Sequence, residues 1–262
     1  MLRQVLVIIS LLSAWNMSGL YANDIISRAD SAYTAERYAE AVKLYNNAID
    51  SIGSSSDAYY NLGNAYFRLG KNAQAILAYE RALRINPANS DARANLEFVN
   101  DRIVDKKGET GSFISNTFDS IANYSSSNNW AWIAVALFAF AIIAVAVYYF
   151  SPVIIVKKAG FFGGILIFLL SLFAILLSIR AKNIALCDEY AIITAPTTVL
   201  STVPRTPSNR NEEAMLLHEG TKVRILNSVT FPIDSIVSIW HDVEIDNQHR
   251  AWINDNDIEK IL

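Results

Sequence analysis

Two stretches decide how this chain is read: WAWIAVALFAFAIIAVAVYYF, residues 130–150, and AGFFGGILIFLLSLFAILLSI, residues 159–179. Neither contains a charged residue. At about 1.5 Å rise per residue each spans the ~30 Å hydrocarbon core of a bilayer. A charge at mid-span would cost about 2.5–3.5 kcal/mol on insertion scales, which accounts for the absence. Trp130, Trp132, Tyr148 and Tyr149 stand at the ends, where amphipathic rings favour the headgroup region. The alternative, two buried helices of a large soluble core, fits poorly, because such helices seldom run this far without a charge and seldom come as an adjacent pair. The stretches are therefore expected to form a two-pass transmembrane hairpin, 130–150 and 159–179, joined by a loop at 151–158 that carries Lys157 and Lys158. With no ionisable group inside either span, transport or proton relay is not indicated. Gly160, Gly163 and Gly164 would permit close helix contact, either with another chain or within the hairpin alone.

Orientation follows from the N-terminus. Arg3, an apolar run from Val5 to Ala14 and a small-residue region ending at Leu20-Tyr21-Ala22 have the layout of a secretory signal peptide, residues 1–22, cut after Ala22 or kept as a third span. The following segment is then exported, and two more crossings return the C-terminal part to the same side. Lys157 and Lys158 favour a cytoplasmic loop, though Arg180 and Lys182 beyond the second span balance them. The expected location is the inner (cytoplasmic) membrane, with both soluble parts in the periplasm.

The 262-residue chain has room for two small domains beside the hairpin, and its 52% hydrophobic content is inflated by the spans. A net charge of −3 and the lack of a basic stripe with interleaved aromatics disfavour nucleic acid. Cys187 is the only cysteine, so an intramolecular disulfide, a CxxC redox pair and a cysteine zinc site are excluded. His218, His241 and His249 are not at a metal spacing. No Gly-rich phosphate loop, HExxH or GxSxG occurs. No enzyme, cofactor or metal is expected.

From Ala22 to Asn89 the sequence repeats with a period of 34 residues. The second copy starts at Ser56 and places Tyr59, Leu62, Gly63 and Tyr66 on a first helix, Ala75, Tyr79 and Ala82 on a second, and ends at Pro87. The first copy aligns at Ala29, Ala32, Ala41, Tyr45 and Ala48. Gly70 suits the end of a helix, and Asn86-Pro87 stops the next. From Ser90 to about Val104 one further helix with a single apolar face caps the stack. These positions resemble the tetratricopeptide repeat (TPR) family. The resemblance implies an all-α stack over residues 23–104 that binds peptides or proteins on a concave face lined by first helices. Carried over position by position, that face is expected to include Tyr33, Tyr60, Asn64, Phe67 and Arg68; the alternative for the aromatics is packing within the stack. The carboxylate clamp of chaperone-binding members is not reproduced, since Ile26 and Asp30 stand where Lys and Asn are needed.

Residues 105–129 read as a Gly/Ser/Thr/Asn linker. Within it Phe113, Ile114, Phe118 and Ile121 fall on one helical face, so the segment is either a short interfacial helix or a tethered coil.

After Ile179 the texture changes to short strands, Tyr190–Thr194, Lys222–Leu226 and Ile236–Ile245, with Pro196, Pro204, Pro207 and Asn209 breaking the interval between the first two. Leu217-His218-Glu219-Gly220, Trp240-His241-Asp242-Val243, Ala251-Trp252-Ile253 and Ile258-Glu259-Lys260-Ile261 resemble the bacterial SH3-like barrel, which implies a small all-β domain at 183–262 and, from that family, cell-wall peptide binding. Ala251 replaces the family's Gly before Trp252. Trp240 and Trp252 are candidates for ligand contact, with core packing as the competing role. The domain carries about six more acids than bases, so it should not attract anionic glycan or phospholipid.

The whole order of parts, a multidomain chain of signal peptide, TPR stack, transmembrane hairpin and SH3-like end, resembles the BatE-type proteins of the aerotolerance (Bat) operon of Bacteroidota. That resemblance implies a scaffold in an envelope stress complex whose partners are the other Bat membrane proteins, some with von Willebrand A domains. The rival expectation is an envelope sensor that binds a peptidoglycan peptide through the C-terminal domain.

Overall fold

The computed structural model describes residues 24–105, 113–186, 189–233 and 236–261. The expected signal peptide and Cys187 lie outside the described residues. The chain divides into two compact units.

The first unit begins with five helices: α1 (residues 24–34), α2 (Tyr38–Ile52), α3 (Ser56–Arg68), α4 (Asn72–Ile85) and α5 (Ser90–Asn100). The Ser55 side chain caps α3 by accepting from the Ala58 N–H, and Asn89 caps α5 by accepting from Ala92. Small residues at the repeat positions let the helices close up. Ala29, Ala32, Ala41, Tyr45, Leu62, Ala65 and Ala78 form one core cluster. At Gly63 a Cβ would stand 2.6 Å from the Tyr79 ring, so the period-34 pattern of a small residue on the first helix and an aromatic on the second is a packing requirement. Gly70, at φ 73°, ends α3 as expected, with the Lys71 N–H reaching back to the Tyr66 carbonyl.

The same unit holds an antiparallel sheet of seven strands, β1 (Tyr190–Ile193), β2 (Thr197–Ser201), β3 (Glu213–His218), β4 (Lys222–Ile233), β5 (Ile236–Glu244), β6 (Arg250–Asn254) and β7 (Ile258–Lys260), in the order β3-β2-β6-β5-β4-β1-β7. Two of these, β2 and β3, occupy the interval that its prolines were expected to break. Pro204 and Pro207 fall in the turn between the strands and Pro196 just before β2, so none removes a ladder hydrogen bond. Ala251 sits buried in β6 opposite Val243, with no turn at that position. Ala191, Ile193, Leu200, Val223, Val243 and Ile253 fill the sheet's own core.

The helices and the sheet also share a core. Ile192 of β1 and Ile261 belong to the cluster built around Ile76, Leu77, Leu96 and Val99. Around that seam Arg81 bonds the Glu259 carboxylate and the Lys260 carbonyl, both at 2.9 Å, and Lys222 pairs with Glu80 at 2.8 Å. The Arg84 guanidinium also donates to the Ile261 carbonyl. Asp105, just past the helical stack, accepts from the His218 N–H at 2.6 Å and from the Thr221 hydroxyl at 2.9 Å. Gly220 closes this corner with φ 89°, where a side chain would be strained and would meet Ile103 at 2.8 Å. Burying Ile192 and Ile261 in this way is worth about 1.5–3 kcal/mol each.

The second unit contains α6 (Phe113–Ala122), α7 (Ser127–Phe150) and α8 (Ile154–Ala185). Helices α7 and α8 are long and apolar enough to cross a membrane. Both run past the apolar stretches. The Ser126 hydroxyl caps α7 ahead of Trp130, and α8 takes in Lys157 at one end and Arg180 at the other, which leaves 151–153 as the connection. They pack through a small-residue seam. Gly160 lies under the Ala144 carbonyl and the Tyr148 backbone, Gly164 against Ala144, Ser171 donates to the Ala134 carbonyl at 2.9 Å, and Ser127 meets Ser178. Gly163 faces open space. Most large apolar side chains of both helices, such as Phe140 and Leu169, point outward and are exposed.

Candidate protein-binding face of the helical repeats

Of the five expected residues, Tyr33 and Arg68 fall in one cluster and Phe67 in another, while Tyr60 and Asn64 lie in neither. In one, Tyr33 packs edge-on against Tyr38 with ring centroids 5.3 Å apart, and the Arg68 guanidinium lies 4.6 Å over the Tyr38 ring. In the other, Phe67 meets Phe98 edge-on at 5.7 Å, and Arg102 lies 4.0 Å over Phe98. A cation held over a ring in this way is worth about 0.5–1 kcal/mol at an exposed site, and its outward N–H donors remain available. Phe98 is 50% exposed and Arg68 and Arg102 are exposed, whereas Tyr33, Tyr60 and Phe67 are half-buried. Tyr60 sits between roles, with its ring 6.2 Å from that of Tyr79.

Asn64 is held by the scaffold. Its Oδ1 accepts from the Tyr79 hydroxyl at 2.7 Å and from the Asn95 side-chain amide at 2.8 Å. One period earlier the Asp30 carboxylate accepts from Tyr45 at 2.6 Å and from Asn61 at 3.5 Å. The network thus repeats with the sequence, an inner-helix tyrosine and the next repeat's asparagine converging on one acceptor. Burial raises both phenol pKa values well above the usual range, and at Tyr45 the bond to Asp30 adds to the effect, so both hydroxyls stay protonated donors.

Tyr38, Phe98 and Arg102 were missed by the sequence reading. The signal for two of them was present: Phe98 is one period after Asn64, and Arg102 one period after Arg68. The helix that caps the stack thus continues the 34-residue period, with Asn95 also one period after Asn61.

In the sheet the two tryptophans separate. Trp240 is 6% exposed and donates from Nε1 to the Ser238 hydroxyl at 3.0 Å, while Trp252 is half-buried. His241, 1% exposed, bonds Ser228 Oγ through Nδ1 at 2.6 Å and Asp255 through Nε2 at 2.7 Å. Ser228 stands directly opposite His241 in the β4–β5 ladder, so this is a cross-strand pair satisfying a buried imidazole. In the β2–β3 turn Glu212 accepts from the Ser208 N–H and hydroxyl and from Arg205, which holds its carboxyl down at about 2. Among the described residues no group of three His, Cys, Asp or Glu side chains is placed to hold a metal.

Two overlapping family matches fall on the helical stack: a tetratricopeptide repeat at residues 56–89 and a TPR repeat at residues 29–70. Residues 29–89 are tetratricopeptide repeats. The chain is also 34% identical over 77 residues to a serine/threonine-protein phosphatase T of Trypanosoma brucei brucei. That similarity covers 29% of this chain and 16% of the phosphatase, so it extends to a small part of each. The TPR stretch is a protein-interaction module.

Proposed function

We propose that this protein is a membrane-anchored scaffold without enzymatic activity, whose TPR face recruits a partner protein. The observation that carries the reading is the pair of arginine–aromatic contacts, Arg68 over Tyr38 and Arg102 over Phe98, whose arginines stand one 34-residue period apart. Exposed aromatic and arginine side chains are the usual anchors of protein interfaces. The sheet packs on α4, and Arg68, Phe98 and Arg102 are exposed. Two apolar helices lie in sequence between the TPR stack and the sheet, yet the stack and sheet share one core. A single crossing would place them on opposite sides of a membrane, so the shared core supports a two-pass hairpin with both parts on one side. The signal-peptide pattern of the N-terminal sequence favours the periplasm as that side. The resemblance to BatE-type proteins supplies the setting, an inner-membrane envelope stress complex with von Willebrand A domain partners.

Affinity capture of the full chain from solubilised membranes, wild type beside a Phe98→Ala, Arg102→Ala double variant, tests the face. Both side chains are exposed, so the variant should fold and lose its partners; an unchanged set of captured proteins would sink the assignment. A second reading rests on Trp252, the tryptophan of the SH3-like resemblance that remains partly exposed. It assigns a cell-wall peptide to the sheet, and failure of the solubilised full chain to co-sediment with purified sacculi removes it.

A further inference from the structure

Helix α6 has three faces. One packs on α8: Ala122 is buried against Leu177 and Ala181, Phe118 meets Phe173 at 6.0 Å, and Asp119 grips Arg180 with two bonds of 2.6 and 2.9 Å. A second is polar, with Asn116 and Ser120 exposed. The third carries Ile114, Ile121 and, just beyond the helix, Tyr124, which are 79%, 40% and 78% exposed. A spacing of seven residues puts Ile114 and Ile121 on one stripe, and Tyr124 follows in the turn just beyond the helix.

The depth of the contact identifies what covers that stripe. Along α8 Lys158 and Arg180 are 22 residues apart, about 33 Å, which matches the thickness of the hydrocarbon core. When Lys158 lies at one boundary, Arg180 lies at the other, and Phe173 is then about 10 Å inside it. Helix α6 touches both Arg180 and Phe173, so it occupies the depth from the headgroups into the acyl chains. Its chemistry suits that depth. The paired Asp119 and Arg180 present no lone charge, the middle of the helix pairs its own backbone groups, and the Trp130 indole N–H donates to the Ala122 carbonyl at 3.0 Å, closing one of the carbonyls at the helix end.

We propose that α6 is a lipid-immersed collar at the Arg180 end of the hairpin, with Ile114, Ile121 and Tyr124 in contact with acyl chains and Asn116 and Ser120 facing the headgroups and water. The occupant of the stripe is bilayer lipid. The collar fixes the vertical position of the hairpin, because sliding α8 along the membrane normal would expose the stripe to water or bury the polar face. This rests on the reading that α7 and α8 cross the membrane.

The test uses the full chain with Cys187→Ser and one new cysteine at a time, Ile114→Cys, Ile121→Cys, Asn116→Cys or Ser120→Cys, with Leu169→Cys as a mid-span reference. Each is labelled with an environment-sensitive nitrobenzoxadiazole dye and reconstituted into phosphatidylcholine–phosphatidylglycerol vesicles. Nitroxide groups on the acyl chains should quench the labels at 114 and 121, whose emission is shifted to the blue, while aqueous iodide should quench those at 116 and 120. Equal quenching at all four positions, or iodide reaching 114 and 121, overturns the collar. If 169 is quenched by the lipid nitroxides and 114 and 121 are not, the collar alone fails; if 169 is not quenched either, the spanning reading fails with it.

Discussion

Asn64 shows how one residue can look like a ligand contact in sequence and serve the scaffold in structure. Its acceptor is filled by Tyr79 and Asn95, as that of Asp30 is by Tyr45 and Asn61. Asn64→Ala strands the buried Tyr79 hydroxyl, at a cost of about 1–3 kcal/mol. Asn64→Asp restores the arrangement that the first repeat already uses, and thermal unfolding followed by circular dichroism should place it much closer to wild type than the alanine variant. Equal losses for the two would show that the acceptor is not what matters. Gly63→Ala tests the same contact from the other side. A Cβ 2.6 Å from the Tyr79 ring forces the ring to move, and overpacking of this kind costs about 1–3 kcal/mol in the same measurement.

At the scale of elements the hairpin makes a sharper statement than its composition did. Three glycines in the second apolar stretch looked equivalent, but α8 turns Gly160 and Gly164 onto α7 and leaves Gly163 outside. Gly164→Leu should therefore force α7 and α8 apart, by the same ~1–3 kcal/mol overpacking cost, while Gly163→Leu is tolerated. Cysteine cross-linking between Ala134 and Ser171 positions in membranes reads the difference: the yield falls for Gly164→Leu alone, and a fall in both would mean that Gly163 also meets a neighbour. The apolar stretches and the repeats were legible because each carries its own period and its own end signals. Strands β2 and β3 were not, since Thr197–Ser201 and Glu213–His218 alternate weakly and are flanked by prolines whose effect depends on ladder position. The 105–129 segment was half legible. Its apolar residues share one face by spacing, but in α6 Phe118 packs on α8 while Ile114 and Ile121 are exposed, and the helix is anchored through Asp119 to Arg180, which is remote in sequence. On the TPR face, the offset of 34 would have found Phe98 and Arg102 had it been carried one helix further.

At the scale of the whole molecule the seam between the TPR stack and the sheet was invisible in sequence, because Ile192, Ile261 and Asp105 meet partners more than 85 residues away. The seam makes the C-terminal domain dependent on the helices. Expressed alone it would expose Ile192 and Ile261, and limited proteolysis should cut it faster than the same residues in the full chain. The seam also carries an acid-sensitive lock. Burial alone would raise the pKa of Asp105, but the bonds from the His218 N–H and ring and from the Thr221 hydroxyl outweigh it and hold the carboxyl below its usual value. A carboxylate whose pKa is depressed by folding stabilises the fold at any pH above the ordinary range near 4, and that contribution disappears as pH falls through the depressed value. Asp105→Asn loses acceptor capacity at the His218 N–H and Thr221, at a cost of about 1–2 kcal/mol at neutral pH. The gap in thermal stability between wild type and Asp105→Asn should accordingly be full at pH 7 and close progressively below about pH 4. A gap that persists undiminished at pH 2.5 would mean that the charge on Asp105 does not hold the sheet to the stack.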